Sequence, residues 1–537
     1  MKPILKKWVR LAAVLAAFAA AAVLAACAQS ARPGTVSALL CSPEKFESLQ
    51  AERTPSETAL VTGLSIGGNE LVQDRETGVY YYSLPQGEQG DAPRVSFAGE
   101  NGTKLKILQD FAGKALPSGG TVQLLAYTKT EYQTLQLVCT PLPILSIWAD
   151  TDPDRIEKSP NVPMSLTLYD NRANAGMPVV QAAGTMHVRG RGSANYPKKG
   201  YRLKLTHTNG SKNDMALLGL RSDGDWILYA GYAETEKVRQ VFSAKLWHQG
   251  CSTDNESGVP NSNDYKFLEL FLNGRYWGLY ALGYPIDSKQ WQLQEGEYAY
   301  FKVDPLVWEP EQDYTEGGKT LGYELAGGAD QDSEDKRVWQ PLNDYYQAFF
   351  SAEWEDRQVL YTLADEKNAI DTWLFIDLIQ GVDQMLDEGR LYNMYLVAKK
   401  GEGGTKILYT PWDFDRTWGF VLGENNTNYL GLEPEDHVTM TLNPVEKLIA
   451  WEEKDMIRAV YEQWQVLRAG AWSNENVQAL LDGCEQDIFA SGAYDRDYAR
   501  WPDSGHNDGQ TDLSDFRAYV AGRFREMDSH IQGLLEK

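Results

Sequence analysis

The sequence predicts an α+β chain in which a small, sandwich-like all-β module precedes a larger domain that is β-rich first and helical later. Three observations carry that reading. Between about Val36 and Leu142, short runs of β-branched, aromatic and Leu residues alternate with Gly, Asn and Pro. Strand-like runs continue from about Ile144 to Tyr280, and beyond about Val338 apolar residues recur at helical spacing. With 537 residues, 43% of them hydrophobic, and 16 Trp and 29 Tyr, the chain can bury a sizeable core, which excludes a stapled miniature and wholesale disorder.

The first 26 residues read as an export address. Lys2, Lys6, Lys7 and Arg10 precede an unbroken run of Ala, Val, Leu and Phe from Leu11 to Ala26, short for a membrane span and without a stop-transfer flank. The run ends in Leu24-Ala25-Ala26-Cys27, which resembles the bacterial lipobox, where the Cys thiol is acylated and becomes the new N-terminus. Cys27 is therefore the expected lipidation site and residues 27–35 a tether. The expected location is the bacterial cell surface, with the lipid in the outer face of the cytoplasmic membrane; simple secretion is the alternative.

In residues 36–142, strands are expected at Thr58–Thr62, Val79–Leu84, Arg94–Phe97, Lys104–Leu108, Thr121–Thr128 and Thr134–Cys139, with no catalytic constellation among them. Pro141-Leu142-Pro143 marks the boundary with a domain spanning 143–537. Its first lobe, to about residue 305, has strands at Ser165–Tyr169, Gly184–Arg189, Gly200–Leu205, Trp226–Ala230, Lys266–Leu272 and Tyr276–Tyr280. The last two flank Asn273-Gly274, the strongest short hairpin signal. Between Trp226–Ala230 and Lys266–Leu272, Glu236–Gln249 places Val238, Val241, Phe242 and Leu246 on one helical face. The second lobe, from about 306, should hold helices at Gln340–Ala352, Asn368–Gln380, Pro444–Trp451, Lys454–Trp464, Asn474–Ala490 and Leu513–Lys537.

A net charge of −24, from 75 acidic against 51 basic side chains, excludes a general nucleic-acid binder, because phosphate recognition is led by Lys and Arg. An anionic ligand needs a local basic pocket. Beyond Cys27, the cysteines Cys41, Cys139, Cys251 and Cys484 form no CxxC; a Cys41–Cys139 disulfide and four buried thiols both fit. His187, His207, His248, His437, His506 and His530 are scattered and form neither an HExxH nor a Ser-His-Asp context. The acidic run Asp330–Asp335 lacks the glycine and terminal Glu of an EF-hand loop and reads as solvated surface.

Four stretches point to chemistry. Arg189-Gly190-Arg191-Gly192-Ser193 leads through Lys198-Lys199 to Tyr201-Arg202-Leu203-Lys204, the densest basic cluster of an acidic chain. Glycines admit an anion close to backbone N–H groups, and strand alternation puts Arg202 and Lys204 on one face, so a phosphate-facing pocket accounts for the run better than a solvated strand. Leu268 to Tyr280 is a packed hairpin. In Gly381 to Leu396 a helix end, a polar loop with Asp383 and Asp387, and Asn393 precede a strand; in Ile407 to Gly419 a strand breaks at Pro411 into Asp413-Phe414-Asp415. An Asp in a loop, a later Asn and a strand-ending Asp form the order used in phosphoryl transfer, where one Asp accepts the hydroxyl proton and the other two hold Mg²⁺.

The strings RGRGSANYPKKGYRLKL, GDWILYAGYAETEKVRQVFSAKLW, LELFLNGRYWGLY and PWDFDRTWG together resemble the spore coat protein H (CotH) family, whose members have an atypical protein-kinase-like, two-lobed fold. The resemblance runs from about Leu142 to at least Gly419. It implies ATP-dependent phosphorylation of Ser or Thr in an extracytoplasmic protein, with Mg²⁺ (or Mn²⁺) as cofactor. Carried over by position, Gly190, Gly192 and Ser193 would cover the phosphates and Lys204, beside Arg202, would contact them. Asp383 would be the catalytic acid/base, Asn393 and Asp413 metal ligands, and Asp415 a second ligand or positioning group. Arg239 matches an arginine that the family carries on this helix. Three departures stand against the pattern: Ala281-Leu282-Gly283 where a Glu often follows, Arg191 in the glycine loop, and ten residues from Asp383 to Asn393, which makes Asp387 a competing base. A non-catalytic surface adhesin or scaffold and nucleotidyl transfer by the same residues are the alternatives.

Overall fold

A computed structural model describes residues 34–87, 93–292, 298–303, 323–327, 339–384, 391–401, 404–422, 428–507 and 509–536. The export segment, Cys27, Asp387 and the run Asp330–Asp335 lie outside the described residues. The chain divides into two compact units, one formed by Met1–Ala230, Phe267–Leu282 and Gln486–Pro502, the other by Gly231–Lys266, Gly283–Glu485 and Asp503–Lys537.

In the first unit, the N-terminal region is all-β apart from the short helices Val36–Leu39 and Pro43–Ala51. The latter, absent from the sequence reading, has a legible start: Ser42 accepts the Lys45 N–H, Pro43 fills the first turn and Glu44 follows. A sheet built on Val61–Ile66 and Arg94–Gly99 and a larger one built on Lys104–Leu108, Thr121–Tyr127, Glu131–Thr140 and Tyr80–Ser83 share one apolar cluster, with Leu64, Val95, Ile107, Leu124 and Leu137 fully buried. Alternation drives this, since Val122 and Leu124 point inward while Thr121 and Gln123 are exposed.

The expected first-lobe sheet closes into a seven-stranded barrel in the order Ile144–Ala149, Val162–Tyr169, Val179–Val188, Tyr201–Thr206, Asp225–Tyr229, Arg275–Gly283 and Tyr265–Leu272. Closure depends on Ile144–Ala149, which the sequence reading left outside its strands; it pairs antiparallel with Val162–Tyr169 and parallel with Tyr265–Leu272. Asn273 and Gly274 both take positive φ, 50° and 76°, as a two-residue hairpin turn requires. Asn273 Oδ1 also accepts the Ala149 N–H at 2.7 Å. Along Tyr201–Thr206, Tyr201, Leu203 and Leu205 are buried while Arg202 and Lys204 face outward.

The second unit is mainly helical around an antiparallel sheet ordered Tyr323–Gly327, Tyr298–Val303, Met394–Gly401 and Gly404–Pro411. Its central helix, Glu366–Leu378, is buried from Asn368 to Leu378, so it needs no polar face. Asp365 caps it, and Asn368 stitches it to the sheet by accepting the Tyr409 N–H at 2.7 Å and donating to the Tyr409 carbonyl at 3.0 Å. The expected helix Asn474–Ala490 is Asn474–Glu485 followed by a π turn, Gln486–Ala490.

All four described cysteines are buried and none forms a disulfide, so the Cys41–Cys139 pairing gives way to its alternative of buried thiols. Cys139 belongs to the main cluster of the N-terminal region and Cys41 to a separate one with Phe46 and Leu125. Burial pushes the Cys139 thiol up to about 12. Among the described residues, no helix is long and apolar enough to cross a membrane.

Candidate active site

The hairpin of Met394–Gly401 and Gly404–Pro411 brings Asn393, just before one strand, beside Trp412 and Asp413, just after the other; the Trp412 N–H donates to the Asn393 carbonyl at 3.0 Å. Asp383 arrives from the central helix through Gln380 and the 3₁₀ turn Val382–Gln384. Gln384 Nε2 ties this turn to the acidic loop by donating to the carbonyls of Trp412, 3.0 Å, and Asp413, 2.8 Å. Asn393 Nδ2 donates to Asp383 Oδ2 at 2.9 Å, and Arg416 pairs with Asp383 Oδ1 at 3.1 Å. Of the sequence candidates, Asp383, Asn393, Asp413 and Asp415 thus fall in the second unit, on linked loops.

The backbone here is held in costly conformations. Gln380, Asn393, Asp413 and Trp418 have φ of 51°, 42°, 64° and 54°, values that side chains other than glycine adopt rarely and that collect at functional loops. Burial pushes the Asp415 carboxyl well above the usual carboxylate range; Asp413, Asp383 and Glu234 add to the rise and Arg416 opposes it. Asp413, Asp415 and the Asn393 amide offer hard oxygen donors without His or Cys, and that set fits a magnesium-class ion.

Arg239 braces this loop from behind. Its guanidinium is buried, donates Nε to the Thr417 carbonyl at 3.1 Å, pairs with Glu236 and lies 3.5 Å over the Phe420 ring. Glu234 accepts the Arg239 N–H at 2.6 Å, covering the start of the helix Arg239–Gly250, and the next residue, Gln240, accepts the Phe414 N–H at 2.6 Å.

The basic candidates lie in the first unit. Gly190 has φ 98° and closes over Ser193, whereas Gly192 sits at φ −65°, helical backbone open to any residue, and a side chain there would meet nothing within 4 Å. The loop is closed at its base by the Arg189 N–H on the Gly200 carbonyl, 2.9 Å. On the outward barrel face, Arg202 pairs with Asp225 at 3.3 Å and Lys204 is exposed. His187, unassigned by sequence, is cross-strand from Arg202, and its Nδ1 and Arg202 Nε are buried without a hydrogen-bond partner. Burial, with Lys204 and Arg202 nearby, lowers the His187 imidazole below its usual range. The unpartnered Arg202 Nε–H on this basic face fits an anion.

The basic run is less uniform than its sequence suggests. Lys198 faces no open pocket: it is buried in an ion pair with Asp497 at 2.7 Å and donates to the Leu279 carbonyl at 2.6 Å. A second departure concerns the scattered histidines, since the rings of His437 and His530 meet at a tilt of 34°, centroids 4.1 Å apart, beside Asp377. No spacing motif could have signalled it, because the three come from separate segments.

A family model described as CotH kinase protein matches residues 186–527. No curated protein matches the chain.

Proposed function

The chain belongs to the CotH kinase protein family, and from that premise we propose that it transfers the γ-phosphoryl group of ATP to a Ser or Thr hydroxyl of an extracytoplasmic protein. The observation that carries this reading is the linked set of Asp383, Asn393, Arg416 and the Asp413-Phe414-Asp415 loop. Asp383 is the base. One of its oxygens is engaged by Arg416 and the other by Asn393, and each keeps a second lone pair for a proton. As the hydroxyl oxygen bonds to the γ-phosphorus, its proton passes to Asp383 and the bond to the bridging oxygen breaks, leaving ADP. The Asn393 nitrogen is committed to Asp383, so its oxygen is the end offered to a metal, with Asp413 and Asp415. Mg²⁺ or Mn²⁺ bound there supplies charge neutralisation on the phosphate oxygens.

Gly190, Gly192, Ser193, Arg202 and Lys204, with His187, are the proposed nucleotide contacts. The unpartnered Arg202 Nε–H beside His187 supports this, as does a glycine at 192 that its own backbone does not require. The kinase-like division into a β-rich and a helical lobe draws support from the barrel of one unit and the helices of the other. Incubation with γ-labelled ATP and Mg²⁺ or Mn²⁺ should label protein, and Asp383→Asn and Asp413→Asn should each lower the rate by about 10²–10⁴-fold. Labelling unchanged from that of the parent in both variants overturns the proposal. Mass spectrometry should find an added phosphoryl group; an added nucleotide would instead establish nucleotidyl transfer.

A further inference from the structure

We propose that Asp377, His437 and His530 form a second metal site, specific for a borderline divalent transition ion such as Zn²⁺, that clamps three segments of the helical unit. Asp377 ends the helix Glu366–Leu378, His437 lies in the loop before the helix Pro444–Ala450, and His530 is on the helix Ser514–Leu534. One ligand atom from each lies within 4.8 Å of the other two. The inference stands independently of the phosphoryl-transfer reading.

Several features show a built site. Asp377 is fixed: its Oδ1 accepts the Val438 N–H at 3.0 Å and faces Arg523 at 3.3 Å, while its Oδ2 meets His437 Nδ1 at 2.8 Å. His530 stacks against Trp373 with ring centroids 6.5 Å apart, and its ring stands 4.1 Å from that of His437, an arrangement that two protonated imidazoles would resist. A second carboxylate, Glu526, lies 3.5 Å from His437 Nε2. The group opens on a 270 Å³ cavity lined also by Trp373 and Glu446, with room for water ligands.

Donor chemistry separates this site from the oxygen-only centre around Asp413. Two imidazole nitrogens and a carboxylate suit zinc, cobalt or nickel, whereas magnesium prefers oxygen throughout. Bonds of about 2.0–2.1 Å put neighbouring ligands of a tetrahedral zinc roughly 3.3 Å apart. Side-chain rotation of the partly exposed His437, whose side chain is 29% accessible, closes the remaining gap.

The test uses the full chain carrying Asp413→Asn and Asp415→Asn, so that the acidic centre offers no competing site. After chelator treatment and dialysis, Zn²⁺ is titrated against a chromophoric competitor, and melting is followed in parallel. The expected result is one Zn²⁺ per chain with a raised Tm, no Tm rise with Mg²⁺ at the same concentration, and visible d–d absorption with Co²⁺. Adding His437→Gln and His530→Gln should weaken Zn²⁺ binding at least 10-fold and abolish the absorption. No zinc-dependent rise in Tm in the parent, or unchanged stoichiometry and affinity in the double-His variant, overturns the proposal. Should the double-His variant fail to fold, His530→Gln alone is judged by the same criteria.

Discussion

Asp371 is a fully buried carboxyl on the central helix, with Gln463 donating to its Oδ1 at 2.6 Å. Burial raises it well above the usual carboxylate range; Asp254 adds to the rise, while Gln463, the Cys251 thiol and Lys367 oppose it. The folded chain therefore holds a proton that the unfolded chain releases above about pH 4. Stability from this residue is full below that pH and declines as pH rises toward the folded value. Asp371→Asn keeps an acceptor for Gln463 and removes the ionisation. Its expected effect is a gain in stability at pH 7 that shrinks to nothing near pH 4, measured by urea melts at both pH values. Equal differences at the two would show that Asp371 is ionised in the fold. Nothing in the sequence around Asp371 signalled this, because its environment comes from Cys251, Asp254 and Gln463, all distant along the chain.

At the scale of elements, local signals were legible wherever the chain satisfies its own rules nearby. Asn273-Gly274 predicted its hairpin because the turn needs two positive φ values, and the alternation of Tyr201, Leu203 and Leu205 predicted which face Arg202 and Lys204 occupy. Long-range closure was not legible: Ile144–Ala149 is a strand because it bridges both ends of a barrel, and Lys198 is structural because Asp497 awaits it. Gly278 belongs to the same arrangement, since a side chain there would collide with the Asp497 carboxylate. Arg239 shows how an element serves the candidate site without touching a substrate. Its helix start is held by Glu234, and its guanidinium holds the Thr417 carbonyl on the chain that carries Asp413 and Asp415. Arg239→Ala leaves Glu236 without its buried partner, and removing one member of such a pair costs about 3–5 kcal/mol. Chemical denaturation should show that loss, and nucleotide-dependent labelling should fall with it. Arg239→Lys should recover part of the stability through the ion pair, but not the contact with the Phe420 face. Unchanged stability in Arg239→Ala would show that the brace is dispensable.

For the whole molecule, composition argues against a polyanionic partner and leaves open where any ligand would sit. A chain of net charge −24 repels polyanions, yet the family model covers residues 186–527, the stretch that includes both the basic barrel face and the acidic loops. The acidic loops were readable as an order of residues, Asp383, Asn393, Asp413, and hydrogen bonds link those loops in the fold. The His437–His530 pair was not, since imidazoles from two distant segments leave no spacing to read. Placement of the protein rests on its first residues, where a basic segment and an apolar run lead to Cys27. We propose that lipid on Cys27 holds the protein at the outer face of the cytoplasmic membrane, where a protein acceptor would be met outside the cell. One acyl chain gives only marginal membrane binding, whereas a diacylated thiol supplies the two chains that stable anchoring needs. Cys27→Ser should therefore move the protein from the membrane fraction to the soluble or unprocessed pool and abolish incorporation of labelled fatty acid. Membrane recovery unchanged in that variant would reassign the anchor to another part of the chain.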